Sequence, residues 1–531
     1  MSSGVPAERA FNEDSPMDIG IPAPLVSKLV DSYFSNFFYA TLLLHPPTFR
    51  EDLVTGSATK HVVLGVCAVA SGLCPDTGQD AHLLNDGASL EWAEKAQALV
   101  FAHLAVPKEE NLVTLLNLTL FWYRLGQWQR SFLLGTNLFC AARMLNFPDS
   151  VSSMDNTLPA ETSRRRFWAC YILSRLGGML DGSNATVDAL ARMPLPQSEQ
   201  EFGNGTLSEK LVKFENSERN GSFFAEVIRV GSIWKQVHSF TQNAELDIEE
   251  RLSNMQTLDI ALRKWRNGLP DMFAFNSTNL EHYQPSEVSQ ILLINILFHQ
   301  SLCVLHASII PLFTFCRIRP GCEDAQIRSA QTAFDHAQHI SSLLQKCMAS
   351  HSEGHWGFIG YSAYCSSAIQ LPFLWCQSPD VAAKATANIK TNAQVIRRTG
   401  KHWKLISGLE KHLRSLRRYH EVSGYSLQDE PCNVDAAELN RCSGSFDRTR
   451  TSVLGHNDII WKYGQMSECG EIVKLEVDCE VGGLQEDGGL ACTTTDLPSW
   501  NDIPIDVMDD FLAPFCIHDD LESFLAGGYP Y

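Results

Sequence analysis

The sequence predicts an all-α fold, in which a large multi-helix domain precedes a disordered acidic tail. From Leu25 onward, apolar residues recur at positions i, i+3 and i+4 over roughly 400 residues, which is the period of amphipathic helices. The strict alternation of apolar and polar residues that half-buried strands show is rare. Hydrophobic residues make up 44% of the 531 residues, which is enough for the core of a large globular protein.

Composition divides the chain into three parts. The first 20 residues are rich in Ser, Pro and charge, so we predict a disordered leader over residues 1–20. The helical domain is predicted over residues 21–421. Residues 422–531 are predicted to form a largely disordered tail, because large aliphatic residues become scarce there and Gly pairs appear.

The net charge of −19 is concentrated in this tail. Residues 426–531 hold 21 Asp and Glu against 5 Lys and Arg, which leaves a charge of only −3 for residues 1–425. A protein that binds nucleic acid by itself normally presents a basic face to the phosphates. We therefore expect any contact with DNA to be indirect.

Three segments show the helical period most clearly. Residues 247–270 begin with acidic residues, place apolar side chains on one face and stop at Gly268-Leu269-Pro270. Residues 327–348 keep small and apolar residues at three-four spacing, which predicts close packing of two helices. Residues 166–176 carry an aromatic stripe. In residues 247–270 the apolar positions are Ile248, Leu252, Met255, Leu262 and Trp265. In residues 327–348 they are Ala330, Ala333, Ala337, Ile340, Leu344 and Cys347.

The sixteen cysteines are scattered without a repeated spacing, which indicates buried free thiols in a reducing compartment. Those in apolar helical runs are Cys67, Cys140, Cys170, Cys303 and Cys365. The sequence has no Cys-x-x-Cys pair, so we expect no zinc site and no other cofactor in this chain.

The apolar run Ile291–Phe315 is long enough to suggest a membrane span. His299, Gln300 and His306 interrupt it, however, and strong basic anchors do not flank it. We therefore interpret this run as a buried core helix and expect no membrane association.

No residue constellation predicts catalysis. His351 and His355 are four residues apart, but the Glu between them is misplaced for a zinc peptidase helix and a Gly follows. The acidic string from Asp509 to Glu522 resembles the magnesium-binding carboxylates of all-α terpene cyclases, but it falls in the predicted disordered tail. We expect a protein that is not an enzyme, with an all-α enzyme acting on hydrophobic metabolites as the least favoured alternative.

Two basic runs, Arg164-Arg165-Arg166 and Lys411–His420, each adjoin an apolar helical pattern. We interpret both as a solvated helix face or a structural ion-pair network, because most charge runs have such roles. The alternative is a nuclear-import signal or a nucleic-acid-binding patch.

Within the tail, residues 499–526 interleave bulky apolar side chains with carboxylates. Like-charge repulsion keeps such a chain extended and leaves its apolar groups available to a partner. This composition is typical of a transcriptional activation segment, and the alternative is a peptide that docks back onto its own domain. The side chains predicted to contact a partner are Trp500, Val507, Phe511, Leu512, Phe515, Phe524 and Leu525.

Several motifs follow one another between about residues 25 and 420. Leu29–Leu53 contains an aromatic helix and a His-x-x-Thr-Phe turn formed by His45, Thr48 and Phe49. Met193-Pro194-Leu195-Pro196 and a Trp-x-x-x-Leu-Pro stop at Trp265 come later. The most specific motif lies between them, Glu-x-x-Arg-Arg-x-Phe-Trp followed by a further Arg, and consists of Glu161, Arg164, Arg165, Phe167, Trp168 and Arg175.

Together these motifs resemble the regulatory, or middle homology, domain of fungal-specific transcription factors. The chain departs from the family pattern at Ser174, where the family often has Asp before the Arg. The resemblance implies a nuclear regulator of a set of genes, with metabolism, including secondary metabolism, as the expected field. It also implies a helical domain that controls an activation segment.

The resemblance further implies the partners: the transcription machinery or a DNA-bound co-regulator, a small-molecule effector, and a homo- or heterodimer. The family usually carries an N-terminal zinc cluster, and zinc is expected only if such a missing cluster exists. Three explanations remain open, namely a short form acting through a DNA-bound partner, an incomplete gene model, and a regulator that senses a small molecule or sequesters partners without activating transcription.

Overall fold

In a computed structural model, the structure describes residues 19–73, 87–147, 156–176, 192–243, 246–275, 285–313, 321–349, 357–423 and 426–441, with a few single positions between and after them. Over these residues the protein is all-α, as predicted, with 17 α-helices and no β-strand. The described residues bury their apolar side chains in one continuous core that runs from Ile19 to Ile460.

The first eight helices form the N-terminal part of the domain. They are α1 (Ala23–Asn36), α2 (Ala40–Leu43), α3 (Pro46–Thr55), α4 (Lys60–Ser71), α5 (Ala88–Ala102), α6 (Glu109–Arg124), α7 (Trp128–Met144) and α8 (Leu158–Leu176). Most of them pack against near neighbours in the chain: α4 contacts α1, α5 and α6, and α6 contacts α7. Short connections favour such antiparallel helix pairs.

Nine further helices complete the described fold. They are α9 (Glu199–Asn204), α10 (Phe223–Gln242), α11 (Ile248–Asn267), α12 (Pro285–Ala307), α13 (Glu323–Ala349), α14 (Gly357–Gln370), α15 (Pro379–His402), α16 (Ser407–Ser423) and α17 (Ala436–Arg441). Helix α10 packs against α8 on one side and against α11 and α12 on the other. It therefore joins the N-terminal helices to the C-terminal ones.

Local sequence signals set the ends of α11 as predicted. The Asp247 carboxylate caps the helix by accepting hydrogen bonds from the backbone N–H groups of Glu249 and Glu250, both at 2.9 Å. Gly268 ends the helix. Leu262 and Trp265 lie on the buried face, 0% and 4% exposed, which confirms the predicted amphipathic pattern.

Helix α12 provides the centre of the C-terminal part. The stretch Glu287–Ala307 is long and apolar enough to cross a membrane, but 83% of its most apolar window is buried by other helices of the described structure. Its partner α13 presents Ala333 and Ala337, both fully buried, and Ala333 accepts a 3.5 Å contact from the Cys303 thiol through its carbonyl. The small residues allow the two helices to approach closely, as predicted.

The described cysteines are free thiols. Cys67, Cys170, Cys303 and Cys365 are buried, as the apolar pattern predicts. For Cys140 that prediction is wrong, because its side chain is exposed on the outer face of α7.

A buried polar network joins α13, α14 and α15. The Asn392 side-chain amide donates hydrogen bonds to the hydroxyls of Ser341 and Ser366, both at 3.0 Å, and the Gln370 amide donates to the same two hydroxyls. All four residues are at most 1% exposed. The buried side-chain amide nitrogens of Asn392 and Gln370 thus both have partners, which favours one arrangement of the three helices.

Residues 426–441, which fall within the predicted tail, pack against the helical domain. Backbone N–H groups of Gln377 and Ser378 donate to the carbonyls of Leu427 and Gln428 at 2.8 and 3.2 Å. Leu427 is only 2% exposed. Its burial explains why the start of the predicted tail is part of the packed structure rather than an extended chain. Residues 1–18 of the predicted leader and the tail beyond residue 441, except Val453, Ile459 and Ile460, lie outside the described residues, whereas Ile19 is buried in the core.

Gly360→Ala is expected to destabilise the domain by about 1–3 kcal/mol. A Cβ atom at Gly360 would lie 2.6 Å from Ile406 Cγ2 and 3.1 Å from Thr399 Cγ2, and both neighbours are stiff branched side chains. Unfolding in urea measures the change. Gly203→Ala is the matched control, because its Cβ would meet nothing within 4 Å, and equal losses in both variants would contradict the packing argument.

His420 is expected to make the domain sensitive to acid. Burial lowers the pKa of His420 to about 4, whereas an unfolded chain has a His pKa of about 6.5. Between these values the unfolded state binds a proton and the folded state does not, so the free energy of unfolding falls as the pH drops from about 6.5 to about 4. Urea unfolding at several pH values should show a weaker pH dependence in His420→Phe, and an unchanged dependence in a variant of the exposed His103. If His420→Phe retains the full pH dependence of the free energy of unfolding, His420 is not the group that causes it.

Candidate functional site: a buried arginine network

The Glu161 carboxylate lies at the centre of the described N-terminal part, on α8. It accepts hydrogen bonds from Arg164 Nε at 3.1 Å and from Arg165 Nε at 3.0 Å, one on each carboxylate oxygen. All three residues are 0% exposed. The i+3 and i+4 spacing places both guanidinium groups on the same helical face as the carboxylate. The backbone N–H of Gln197 adds a third hydrogen bond, at 2.9 Å.

Arg164 connects this centre to the loop before α8. Its Nη2 donates to the Asn156 side-chain oxygen at 3.3 Å. The same oxygen accepts from Gln197 Nε2 at 2.8 Å, and Gln197 Oε1 accepts from the backbone N–H of Ser208 at 2.6 Å. Residues from three separate stretches of chain therefore meet around one guanidinium group.

Arg165 connects the centre to the His-x-x-Thr-Phe turn. Its Nη2 donates to the Gln197 carbonyl at 2.6 Å, and its guanidinium lies 4.0 Å from the centroid of the Phe202 ring. The Phe202 ring also contacts the His45 ring edge-on, with ring centroids 4.9 Å apart. His45 precedes α3 and caps it, since His45 Nδ1 accepts a hydrogen bond from the backbone N–H of Thr48 at 3.4 Å. Burial lowers the pKa of His45, which favours the neutral ring that this cap requires.

Arg166 completes the basic run and lies nearer the surface. Its Nε donates to the Leu43 carbonyl at 3.0 Å, and its Nη1 pairs with Glu109 at 3.1 Å. Ser163 donates to the same carboxylate at 2.8 Å. The run is therefore a structural ion-pair network, one of the two predicted roles. The predicted solvated face is wrong for Arg164 and Arg165, because distant segments cover them.

Trp168 fixes the loop that follows α8. Its indole Nε1 donates to the Pro194 carbonyl at 2.8 Å, and the residue is 0% exposed. The loop is held further by a single antiparallel bridge between Pro194 and Lys213. The Met193–Pro196 motif therefore sits directly on the motif helix.

A second buried ion cluster surrounds Glu226 on α10. Its carboxylate accepts from Trp265 Nε1 at 3.0 Å, from Arg229 at 3.0 Å and from Arg219 at 2.5 Å. Glu226 is 1% exposed. The Trp of the Trp-x-x-x-Leu-Pro stop thus anchors α11 to α10 through a charge-assisted hydrogen bond.

The remaining predicted motif residues lie at the edges of this network. Phe49 is 5% exposed and meets Phe34 edge-on, with ring centroids 6.2 Å apart. Phe167 is 6% exposed and lies beside Phe147. Arg175 stacks over Tyr171, with 4.6 Å between the guanidinium carbon and the ring centroid. At the position of the family departure, the Ser174 hydroxyl donates to the Tyr171 carbonyl at 2.7 Å.

The sequence reasoning missed Asn156, Gln197, Phe202 and Glu226. A single polar or aromatic residue gives no signal of its own, and the importance of these four comes from the groups that they meet. The second basic run, Lys411–His420, is also partly structural. Leu413 and Leu416 are buried on α16, and Arg414 pairs with Glu410 at 2.8 Å.

The predicted partner-binding segment 499–526, with Trp500, Val507, Phe511, Leu512, Phe515, Phe524 and Leu525, lies outside the described residues. So does the His351 and His355 pair, which the sequence does not support as a metal site.

This geometry defines a structural centre. The network places its charged groups in hydrogen bonds with one another and with backbone carbonyls, at full burial, whereas a general acid or base must reach a substrate. Residues 30–267 match the fungal specific transcription factor domain, which is the middle homology region of these transcription factors.

Similar proteins carry related descriptions. The chain is 24% identical over 422 residues to the Zn(2)-C6 fungal-type transcription factor FTF1a of Fusarium oxysporum, covering 73% of this chain and 39% of that protein. It is 22% identical to the transcription factor FTF2 of the same fungus, over 76% of this chain and 40% of that protein. An uncharacterised transcriptional regulatory protein of Schizosaccharomyces pombe is 21% identical, over 70% of this chain and 50% of that protein.

The chain thus spans half or less of the length of these curated relatives. No solved structure matches it. The family and the relatives' names indicate a transcription factor rather than an enzyme.

Glu161→Ala is expected to destabilise the domain by about 3–5 kcal/mol, because it leaves two buried guanidinium groups without their shared carboxylate. Urea unfolding followed by circular dichroism measures the loss. Glu94→Ala is the matched control, since the Glu94 and Arg130 pair is exposed and such pairs contribute about 0–1 kcal/mol. Similar effects of the two substitutions would contradict a central role for Glu161.

Proposed function

We propose that this protein is a nuclear transcription regulator in which the helical domain is a scaffold and the acidic tail recruits the transcription machinery. The observation that carries this proposal is the match of residues 30–267 to the fungal specific transcription factor domain, with its most specific motif assembled around Glu161. The names of the relatives support the same role.

The charge distribution supports a division of labour between the two parts. The helical domain, with a charge near neutrality over residues 1–425, has no excess of basic residues for phosphate binding. Its two innermost arginines are committed to Glu161. DNA contact is accordingly assigned to a DNA-bound partner or to a zinc cluster outside this sequence.

The proposed role of the tail depends on its composition. Residues 426–531 carry most of the negative charge, and residues 499–526 intersperse Phe, Trp and Leu among these carboxylates. Such segments bind through apolar side chains that order on contact, while the charges prevent collapse and assist encounter. Control of a set of metabolic genes is the proposed biological outcome.

A reporter assay tests the activation role. Residues 466–531 fused to an unrelated DNA-binding domain are expected to activate a reporter gene, and Phe511→Ala with Phe515→Ala should remove most of the signal by deleting two apolar anchors. Thr493→Ala with Thr494→Ala is the matched control, because it changes the same tail outside residues 499–526 and should leave the output unchanged. A silent fusion, or full output from the Phe variant at equal protein level, would reject the activation role.

A further inference from the structure

Three histidines come together on the surface between α12 and α13, far in sequence from the family motif. His336 and His339 are one helical turn apart on α13, and His299 faces them from α12. Among the described residues, one nitrogen from each ring can be chosen so that all three lie within 4.8 Å of one another. His299 and His336 are partly buried and His339 is exposed, so the group opens to solvent on one side.

We propose that His299, His336 and His339 bind a divalent transition-metal ion of the zinc type, which links α12 to α13. Imidazole nitrogen is a preferred ligand of Zn²⁺, Cu²⁺ and Ni²⁺. Three protein nitrogens with a fourth position open to water or to another ligand form a common tetrahedral zinc arrangement. The family's zinc cluster uses paired cysteines, so this histidine site is a different one.

The contact between His299 and His336 supplies the first two ligands. Their Nδ1 atoms are 2.7 Å apart, which requires one ring to donate a hydrogen bond to the other. Two nitrogens that bind one tetrahedral zinc ion at 2.0–2.1 Å each lie about 3.3 Å apart. A separation of the rings by about half an ångström therefore makes room for the ion. The donating ring moves its proton from Nδ1 to Nε2, so both Nδ1 lone pairs face the metal and no proton is released.

His339 has the orienting hydrogen bond that metal-binding histidines usually possess. Its Nδ1 lies 2.7 Å from the Asp335 carbonyl oxygen, so Nδ1 carries the proton and Nε2 keeps its lone pair. The His339 ring now stacks on the His299 ring, with an angle of 7° between the planes. It must tilt for Nε2 to face the ion. Because His339 is exposed, its ring has solvent on one side and room for this tilt.

The surroundings of His299 and His336 combine an aromatic side chain with charges of both signs. Phe298 packs against both, with ring centroids 5.2 and 5.8 Å away. The nearby charges are of both signs, Asp259 being anionic and Arg263 and Arg266 cationic, so the affinity must come from the three nitrogens.

Metal titration of the purified full chain tests the site. After dialysis against a chelator, the protein is expected to bind one Co²⁺ with the visible absorption of a tetrahedral ion and without the near-ultraviolet thiolate band that cysteine ligands would produce. Zn²⁺ should displace the Co²⁺ and raise the Tm, because a ligand that binds only the folded state stabilises it.

Variants decide which residues hold the metal. His339→Ala removes an exposed ligand and should weaken Zn²⁺ binding by about tenfold or more while leaving the metal-free Tm unchanged. His336→Ala should abolish the cobalt spectrum. His103→Ala is the matched control, since His103 is exposed on another part of the surface and should not change binding. A cobalt spectrum that survives in His336→Ala, a thiolate band, or no metal-dependent rise in Tm would overturn the proposal.

Discussion

Glu161 places one carboxylate between two guanidinium groups at full burial, and the N-terminal part of the domain is organised around this contact. Charges removed from water are costly unless every partner is in place. The two arginines therefore require the Gln197 carbonyl and the Asn156 side chain as additional acceptors. Because these acceptors belong to loops before and after α8, the folded loops and the paired charges depend on each other.

The same principle recurs where other helices meet. Glu226 binds α11 to α10 through Trp265, and Asn392 joins α15 to Ser341 and Ser366 on two neighbouring helices. Apolar packing between helices is tolerant of small shifts, whereas these hydrogen bonds require one register. A domain built in this way suits a scaffold that must keep a single shape. Any rearrangement of its helices would have to exchange one set of buried polar partners for another.

The distribution of charge complements this rigid construction. Most of the negative charge lies beyond residue 425. Within the described core, the Glu161 and Glu226 carboxylates are each paired with two arginines, and burial lowers the pKa of histidines such as His45. Under the proposed function, the groups that fix structure are thus separate from the groups that attract partners through water.

The sequence by itself determined the all-α class and the course of individual helices, because these depend on residues that are close in the chain. The Asp247 cap, the stop at Gly268 and the buried faces of α11 and α13 follow from local spacing alone. Only the tertiary structure decided that Arg164 and Arg165 are buried, and that His299 meets His336 from another helix. A helical period predicts which residues share a face of a helix. The groups that cover that face come from distant segments, so only the packing of the whole domain determines which groups they are.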